Sequence, residues 1–314
     1  MDKVITSGKI LSHLDRIQDN QIPITADIFL DNYCNNNCEY CVYKRWEFDR
    51  DAYSMPFEDF VQYAMRLKEL GVLGFILTGG GEPTIAKDFK LITEWMESCG
   101  IKYGINTNFN KYVECNPEYL KVSLDAWDDD SYEEKRGVRT YSTVVENIRK
   151  FAEFKTDATK LGIQLLAKSA EEVTKFYAAN YVLPVDYIVV RPVESTDGGY
   201  YTSNPNIADI LVAIEKIQSM DSRVIKNFKW DLLGKKFDSC IGQWSQIAIN
   251  ELGEVMYCCH KPYQIIGHVM DADILEKKRK ASTNMKMCDV PCRLTSVNAI
   301  LSQIDTEMVN REFI

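Results

Sequence analysis

The sequence predicts an α/β fold in which six parallel strands, separated by helices, form a sheet that closes partway into a barrel. Between residues 23 and 235, short β-rich apolar runs alternate with longer segments whose apolar side chains recur at helical spacing. Polar or glycine residues follow several of these runs, and such strand ends carry functional groups in parallel sheets. Full closure would need eight strands, so six predict an open, partial (β/α)6 TIM-like barrel.

The predicted elements follow one another in a regular order. The first strand, residues 24–30, runs into a loop that contains three cysteines. A helix with an apolar face follows over residues 57–70 and stops at Gly71. Further strands are predicted at 72–77, 102–106, 119–124, 161–166 and 186–191, and further helices at 89–99, 142–154 and 170–180. We expect an N-terminal helical segment over residues 1–22 and a small second domain over residues 236–314.

The composition predicts a globular enzyme and argues against several other classes of protein. The chain has 314 residues, 46% hydrophobic and 26% charged, as is ordinary for a soluble globular enzyme. Its net charge of −9 and the absence of a dense Lys/Arg cluster argue against an extended nucleic-acid partner. No apolar run is long enough for a transmembrane helix, and the first residues are too polar for a signal segment. Ten cysteines without an export signal predict a cytoplasmic location and metal ligation rather than disulfides.

Cys34, Cys38 and Cys41 have the spacing C-x3-C-x2-C on one short loop. Three thiolates can hold three corners of a four-iron cluster, which leaves one iron open to a chelating cofactor. The alternatives are a zinc site and a disulfide pair. Zinc usually takes paired C-x2-C ligands, and disulfide frameworks suit short secreted chains, so both fit this loop less well.

With Tyr40 before its third cysteine, this loop resembles that of the radical S-adenosylmethionine (radical SAM) enzymes. The resemblance implies a [4Fe-4S] cluster with S-adenosylmethionine (SAM) at the open iron and Tyr40 against the adenine. Residues 79–82, Gly-Gly-Gly-Glu, resemble the GGE motif, whose environment holds the methionine amino group. The cofactor-binding residues implied by the resemblance are Tyr40, Gly80, Gly81, Glu82, Asn108, Ser123, Asp125 and Arg136. Arg136 either clamps the SAM carboxylate or is a surface arginine.

The last third of the chain carries a second group of cysteines. Cys240, Gly253 and Cys258 have the spacing C-x12-G-x4-C, which resembles the opening of the SPASM and twitch extensions of some radical SAM enzymes. Residues 246–257 predict a β-hairpin that brings Cys240 near Cys258. The full SPASM pattern is absent, so the shorter twitch form fits better. It implies an auxiliary [4Fe-4S] cluster with the ligands Cys240, Cys258, Cys288 and Cys292, before a C-terminal helix over residues 294–308.

Two alternatives remain open for these cysteines. The four ligands could hold zinc instead of iron, or Cys259 could replace Cys258. Cys259 is otherwise either a buried inert thiol or a hydrogen-atom donor to a substrate radical, as in some radical epimerases. His260 next to it is interpreted as a packing or surface residue.

The resemblance implies that a flavodoxin or ferredoxin-type donor reduces the first cluster. SAM is then cleaved to methionine and a 5′-deoxyadenosyl radical, which abstracts hydrogen from a small polar substrate such as a sugar, an aminocyclitol or a nucleoside. Lys168, Arg191 and Glu194 are the candidate substrate-binding residues, and a surface position is the alternative for each of them. Residues 194–206 are interpreted as a loop that closes the cavity.

Three hypotheses follow for the function. The first is a two-electron oxidation assisted by the auxiliary cluster. The second is epimerisation or isomerisation of a sugar, nucleoside or peptide residue. The third is a non-catalytic iron–sulfur or zinc scaffold.

Overall fold

A computed structural model of the chain describes residues 12–18, 21–41, 43, 52–193, 206–233, 239–284 and 294–304. Glu194, Cys288, Cys292 and all but the last residue of the predicted 194–206 loop lie outside the described residues.

One mixed sheet runs through the described part of the chain. Its first seven strands are β1 (Thr25–Phe29), β2 (Gly74–Thr78), β3 (Tyr103–Thr107), β4 (Tyr119–Ser123), β5 (Lys160–Ala167), β6 (Tyr187–Pro192) and β7 (Val224–Lys226). They are parallel and adjacent in chain order. The last three are β8 (Gln246–Ile249), β9 (Glu254–Met256) and β10 (Ile265–His268). β8 pairs parallel to β1, and β9 and β10 continue antiparallel beyond it.

Helices connect the parallel strands. The α-helices among the described residues are α1 (Leu14–Gln18), α2 (Phe57–Glu69), α3 (Phe89–Ser98), α4 (Asp129–Arg136), α5 (Tyr141–Phe154), α6 (Ala170–Asn180), α7 (Ile207–Met220), α8 (Ile274–Asn284) and α9 (Thr295–Ile304). The main core lies between these helices and one face of the sheet. None of the described helices is long and apolar enough to span a membrane.

Side chains alternate between the two faces of each strand. On β4, Leu120 and Val122 are fully buried in the core under the helices, whereas Ser123 points to the opposite, inner face and lines a cavity. Tyr119 and Lys121 share this inner face with Ser123, because they lie four and two residues before it on the same strand.

Two tyrosine rings fill the inner face at the amino ends of the central strands. A Cβ atom added to Gly104 would lie 2.1 Å from the ring of Tyr119, and one added to Gly162 would lie 2.1 Å from the ring of Tyr187. Each glycine pairs with its tyrosine across neighbouring strands. The missing side chains let the rings lie flat against the backbone, so the tyrosines form a floor beneath the inner space.

The six predicted strands are confirmed, and so is the partial-barrel fold. The predicted hairpin is also present as β8 and β9. The sequence analysis missed β7, which has only three residues, and it did not foresee that β8 would extend the sheet next to β1. Periodicity shows which segments form strands but not which sheet edge they join.

Candidate active site

A cavity of about 480 Å³ opens at the carboxyl ends of β1 to β4. Among the predicted site residues, those that line it are Cys34, Cys38, Cys41, Gly80, Gly81, Glu82, Asn108, Ser123 and Arg136. The three cysteines and the motifs after β2, β3 and β4 therefore meet in one place, as expected for the carboxyl ends of adjacent parallel strands.

The cysteine loop is held by the end of helix α4. The Asn37 amide donates to the Arg136 carbonyl at 2.8 Å, and the Glu39 amide donates to the Lys135 carbonyl at 3.3 Å. The helix then stops at Gly137, which has φ +73° and lies so close to Asn37 that a Cβ would approach its Cβ to 2.6 Å. The unpaired carbonyls of a helix end thus fix the backbone between the cysteines.

The glycine-rich loop after β2 packs against the segment that leads into the cysteine loop. The Gly81 amide donates to the Asp31 carbonyl at 2.7 Å, and the Glu82 amide donates to the Tyr33 carbonyl at 2.9 Å. A Cβ on Gly81 would lie 1.9 Å from the Tyr33 carbonyl oxygen. Glycine at this position is therefore required by the close approach of two chain segments.

The Glu82 carboxylate joins the ends of β2 and β3. It is 3% exposed and accepts hydrogen bonds from the Thr107 hydroxyl at 2.5 Å and the Asn108 amide at 2.7 Å. It also accepts from the hydroxyl and amide of Thr84 at 2.7 and 3.1 Å. Burial raises the pKa of Glu82, and these four donors oppose the shift. The carboxylate thereby holds the cavity wall together.

Arg136 connects the cysteine loop to β4. Its Nη1 donates to the Sγ of Cys38 at 3.3 Å, and its Nη2 donates to the carboxylate of Asp125. Burial opposes the guanidinium charge, but Asp125 and Cys38 outweigh this effect, so the pKa of Arg136 is raised. Arg136 is therefore a buried cation in the cavity wall and not a surface arginine.

The surroundings of Cys34 disfavour a bare thiolate. Burial raises the pKa of Cys34 to about 12, and Glu82, Cys38 and Cys41 add to this shift against a hydrogen bond from the Asn36 amide. Iron bound to the sulfurs would remove this penalty, because metal coordination lowers a thiol pKa. No three acidic, histidine or cysteine side chains converge on a single metal-ion position in the described ranges. A four-iron cluster binds its cysteines at separate corners, so its ligands do not have to converge on one point.

Residues 28–177 match the family model described as the Radical SAM superfamily. Residues 28–177 form a radical SAM domain. The match covers the cysteine loop, the glycine-rich loop and the residues around Ser123, Asp125 and Arg136.

Sequence relatives and solved structures are also similar to this chain. Probable GTP 3′,8-cyclases from Saccharolobus islandicus are 25% identical over 213 residues, 64% of this chain and 68% of the relative. Streptococcus suis SuiB, solved bound to precursor peptide SuiA, superposes with a TM-score of 0.63 at 18% identity, over 87% of this chain and 68% of SuiB. A structure of anSMEcpe with bound AdoMet gives a TM-score of 0.62 at 17% identity, over 83% and 80% of the two chains. The structural likenesses establish the fold.

Three predicted site residues of the radical SAM domain are not part of the cavity wall, namely Tyr40, Asp125 and Lys168. Lys168 pairs with Glu39 at 3.2 Å, and its Nζ lies 4.2 Å from the centroid of the Tyr40 ring. Asp125 is 2% exposed and binds Arg136 and the Leu166 amide. Lys168 thus contacts the cysteine loop at the rim, and Asp125 lies behind Arg136.

Arg191, a predicted substrate residue, occupies a different position. It lies on β6, and its Nη1 donates to the Oε1 of Gln164 on the inner face of β5 at 2.8 Å. It lies near His260, whose pKa is lowered to about 3 by burial and by the charges of Lys229 and Arg191. His260, which was expected to be a packing or surface residue, is thus partly buried and lies near two cations.

The C-terminal cysteines Cys240 and Cys258 both lie in the surroundings of one buried lysine, Lys278. Burial lowers the pKa of Lys278 to about 8, and both cysteines oppose this shift, so both lie within electrostatic range of its amine. Lys278 is 3% exposed and donates to the side chain of Gln243. The Asn298 amide donates to the Cys240 Sγ at 3.5 Å. A buried cation beside two thiols suits an anionic thiolate site.

Cys259 is buried next to the cavity wall. It packs in a small cluster with Phe29, Met256 and Tyr43, three residues that line the cavity. The Tyr43 hydroxyl donates to the Cys259 carbonyl at 3.1 Å. Cys259 thus packs directly behind side chains that line the cavity.

Sequence analysis missed several residues of the cavity wall. The most prominent are Asn32, Asn36, Asn106, Asn250, Glu251 and Met256. Asn106 is on the inner face at the end of β3, so strand alternation could have found it. Asn250 and Glu251 form the hairpin turn, and only the pairing of β8 with β1 places them at the cavity.

Proposed function

We propose that this radical SAM enzyme binds a [4Fe-4S] cluster at Cys34, Cys38 and Cys41 and SAM at the open iron, and that it abstracts a hydrogen atom from a small polar substrate. The observation that carries this proposal is the convergence of the three cysteines, the glycine-rich loop and Arg136 on one cavity. When bound, the cluster and SAM supply an electron and a 5′-deoxyadenosyl radical. A flavodoxin or ferredoxin-type protein of the cytoplasm is the proposed electron donor.

The residues of the cavity bind and orient the cofactor. Arg136 presents a fixed positive charge beside Cys38, which suits a carboxylate at that corner of the cavity. Gly80 and Gly81 offer backbone without side chains, and Ser123 offers a hydroxyl at the end of β4. The side chain of Asn108 donates to Asn35 at 2.7 Å and contacts the Cys34 Sγ at 3.7 Å, so it orients the cysteine loop.

An auxiliary [4Fe-4S] cluster in the C-terminal part is the second element of the proposal. Cys240 and Cys258 are close to one buried lysine, Lys278. Helices α8 and α9 both pack against the turn Ile241–Ser245 that follows Cys240, and the chain that links these helices carries Cys288 and Cys292. Four cysteines would give a closed site suited to electron transfer.

The main candidate reaction is a two-electron oxidation. The substrate would lose one hydrogen atom, then one proton and one electron, and a closed cluster site is suited to accept that electron. A sugar, an aminocyclitol or a nucleoside fits a cavity lined by asparagine, serine and threonine side chains. The name of the archaeal relatives, probable GTP 3′,8-cyclase, favours the nucleoside type among these.

A second candidate is an epimerase or isomerase. The position of Cys259 favours it, because this thiol packs against Phe29 and Met256 in the cavity wall. In an epimerase the Cys259 thiol would return a hydrogen atom to the substrate radical. One solvent deuterium would then appear in the product at carbon, whereas an oxidation would yield a product with two electrons fewer.

Anaerobic reconstitution with iron and sulfide, followed by reduction with dithionite in the presence of SAM, tests the proposal. We expect release of 5′-deoxyadenosine and methionine, and an iron content of about eight per chain. Cys34→Ala, Cys38→Ala and Cys41→Ala should each abolish 5′-deoxyadenosine and lower the iron content. Cys99→Ala is the matched control, since Cys99 is exposed at the end of α3. Intact SAM after reduction of a fully loaded protein would favour a scaffold instead.

A further inference from the structure

A group of basic side chains lies inside the partial barrel, below the SAM site. Lys121 is on the inner face of β4, and Arg191 is on β6. Lys229, from the segment after β7, is 1% exposed and lies near His260, as Arg191 does. This cationic group (Lys121, Arg191 and Lys229) is unexpected in a chain with a net charge of −9.

Arg191 is held at the centre of the group. Gln164 accepts a hydrogen bond from its Nη1 at 2.8 Å, and Gln164 pairs in register with Ser123 of the cavity wall. The guanidinium is near enough to Lys121 that burial and the charge of Arg191 together lower the pKa of Lys121 to about 7. The two cations thus share the inner face of the sheet, on strands separated only by β5, and lie within electrostatic range of one another.

The surroundings of Lys121 do not neutralise its charge. In the part of the chain that the structure describes, Lys121 makes no hydrogen bond and no ion pair. Asp125 is the carboxylate that raises its pKa, but Asp125 is already bound by Arg136 and the Leu166 amide. Asp27 is also buried, on β1, but it is not among the charges that shift the pKa of Lys121. Half-burial of like charges is unfavourable for folding, and an anion between them would remove the penalty.

The SAM cavity reaches a neighbour of Lys121, because Asn106, which lines the cavity, pairs in register with Lys121. Lys121 pairs in register with Gly162, which has no side chain, and the ring of Tyr187 lies against this glycine as a floor. Ser123, which lines the SAM cavity, is two residues further along the same face of β4. This spacing corresponds to about 7 Å along a strand.

We propose that Lys121 and Arg191 bind an anionic group of the substrate, a carboxylate or a phosphate, inside the barrel between the tyrosine floor and the SAM site. This inference rests on the proposed function, because it identifies the chemical class of the substrate on which that site acts. Lys121 is a binding residue that the motifs did not indicate. The proposed partner of the SAM carboxylate is a different residue, Arg136, which lies next to Cys38.

The test is calorimetric titration of the reconstituted, oxidised enzyme, in which SAM is not cleaved. Saturating SAM fills the site beside Arg136, so a titrated anion cannot bind there. The probes are inorganic phosphate, pyrophosphate and succinate, which distinguish a phosphorylated substrate from a carboxylate. We expect at least one of them to bind, and Lys121→Met and Arg191→Met to weaken its binding about 10-fold or more.

Two further variants serve as controls for the loss of charge at Lys121. Lys121→Arg preserves the charge and should bind the anion more tightly than Lys121→Met does. Lys150→Met removes an exposed lysine that lies over the Tyr112 ring on the outer surface, and its anion affinity should equal that of the wild type. A wild-type enzyme that binds none of the three probes, or a Lys121→Met variant that binds them as tightly as the wild type, would overturn the inference.

The inference and the proposed function fail in different ways. If the reduced wild type releases 5′-deoxyadenosine but binds no anion, the SAM chemistry stands and the anionic substrate is wrong. If the wild type binds an anion through Lys121 but never cleaves SAM, the proposed function is wrong, and the anion cannot be assigned to its substrate.

Discussion

Arg136 and Asp125 form a buried ion pair that ties the cysteine loop to the barrel. The side chains of Arg136 and Asp125 are 11% and 3% exposed. Arg136 also donates to Cys38, and Asp125 also accepts from the Leu166 amide at 2.6 Å. One guanidinium and one carboxylate therefore connect the loop of Cys38 with the ends of β4 and β5.

Replacing Arg136 by methionine should strongly destabilise the protein. The variant leaves Asp125 as a buried charge without its counter-ion, which costs about 3–5 kcal/mol in comparable cases. Urea denaturation of the reconstituted protein measures this loss, and the affinity for SAM should fall with it. Arg139→Met is the matched control: Arg139 is 57% exposed and pairs with Asp130 and Glu133 at the surface, so about 1 kcal/mol or less is expected. Equal losses in the two variants would contradict this account.

Glu82→Gln tests the link between β2 and β3. An amide nitrogen cannot accept a hydrogen bond, so the variant leaves one of the buried donors around Glu82 unsatisfied, at a cost of about 1–3 kcal/mol. We expect a lower melting temperature and weaker SAM binding. Glu94→Gln removes an exposed carboxylate that pairs with Lys90 along α3 and should have little effect. A Glu82→Gln protein with wild-type stability would show that the four hydrogen bonds to Glu82 are dispensable.

Gly162→Ala tests the tyrosine floor. The added methyl would clash with the Tyr187 ring, and overpacking of this kind costs about 1–3 kcal/mol. Gly74→Ala provides the comparison, because a Cβ on this strand glycine would meet the Lys102 carbonyl at an ordinary 3.6 Å. In a Tyr187→Ala background the two alanine substitutions should have similar effects. Denaturation of the wild type, Gly162→Ala, Tyr187→Ala and the double variant gives the coupling energy between the two positions. A value near zero would argue against contact between Gly162 and Tyr187.

Lys121 should make stability depend on pH in a defined direction. Burial and Arg191 lower its pKa to about 7 in the folded protein, whereas an unfolded lysine titrates near pH 10.4. Below pH 7 the folded state carries the full penalty of the charged amine, and the penalty fades between about pH 7 and pH 10 because the unfolded state binds more protons there. Lys121→Met should therefore exceed the wild type in stability at pH 6.5 and lose this advantage by about pH 9.5. Thermal melts at the two pH values measure the difference, and a constant difference would contradict the prediction.

Much of this enzyme could be predicted from local patterns. The spacing of Cys34, Cys38 and Cys41 and the glycines before Glu82 indicated the family, because few chemistries need those residues at those distances. The six central strands were also predictable, since their apolar runs alternate with amphipathic helices. The family match over residues 28–177 confirms the first inference, and the sheet order confirms the second.

Long-range pairing decided the rest. That Glu82 would bind Thr107 and Asn108 depends on the register of β2 and β3, and that Lys121 would lie beside Arg191 depends on two further strand pairings. The position of the hairpin turn at the cavity depends on β8 joining the edge of β1. The sequence by itself determined which segments become strands and helices and which residues carry the chemistry, because backbone preference and side-chain spacing are local. Only the tertiary structure decided which of those residues face one another, because strand pairing buries surfaces that are far apart along the chain.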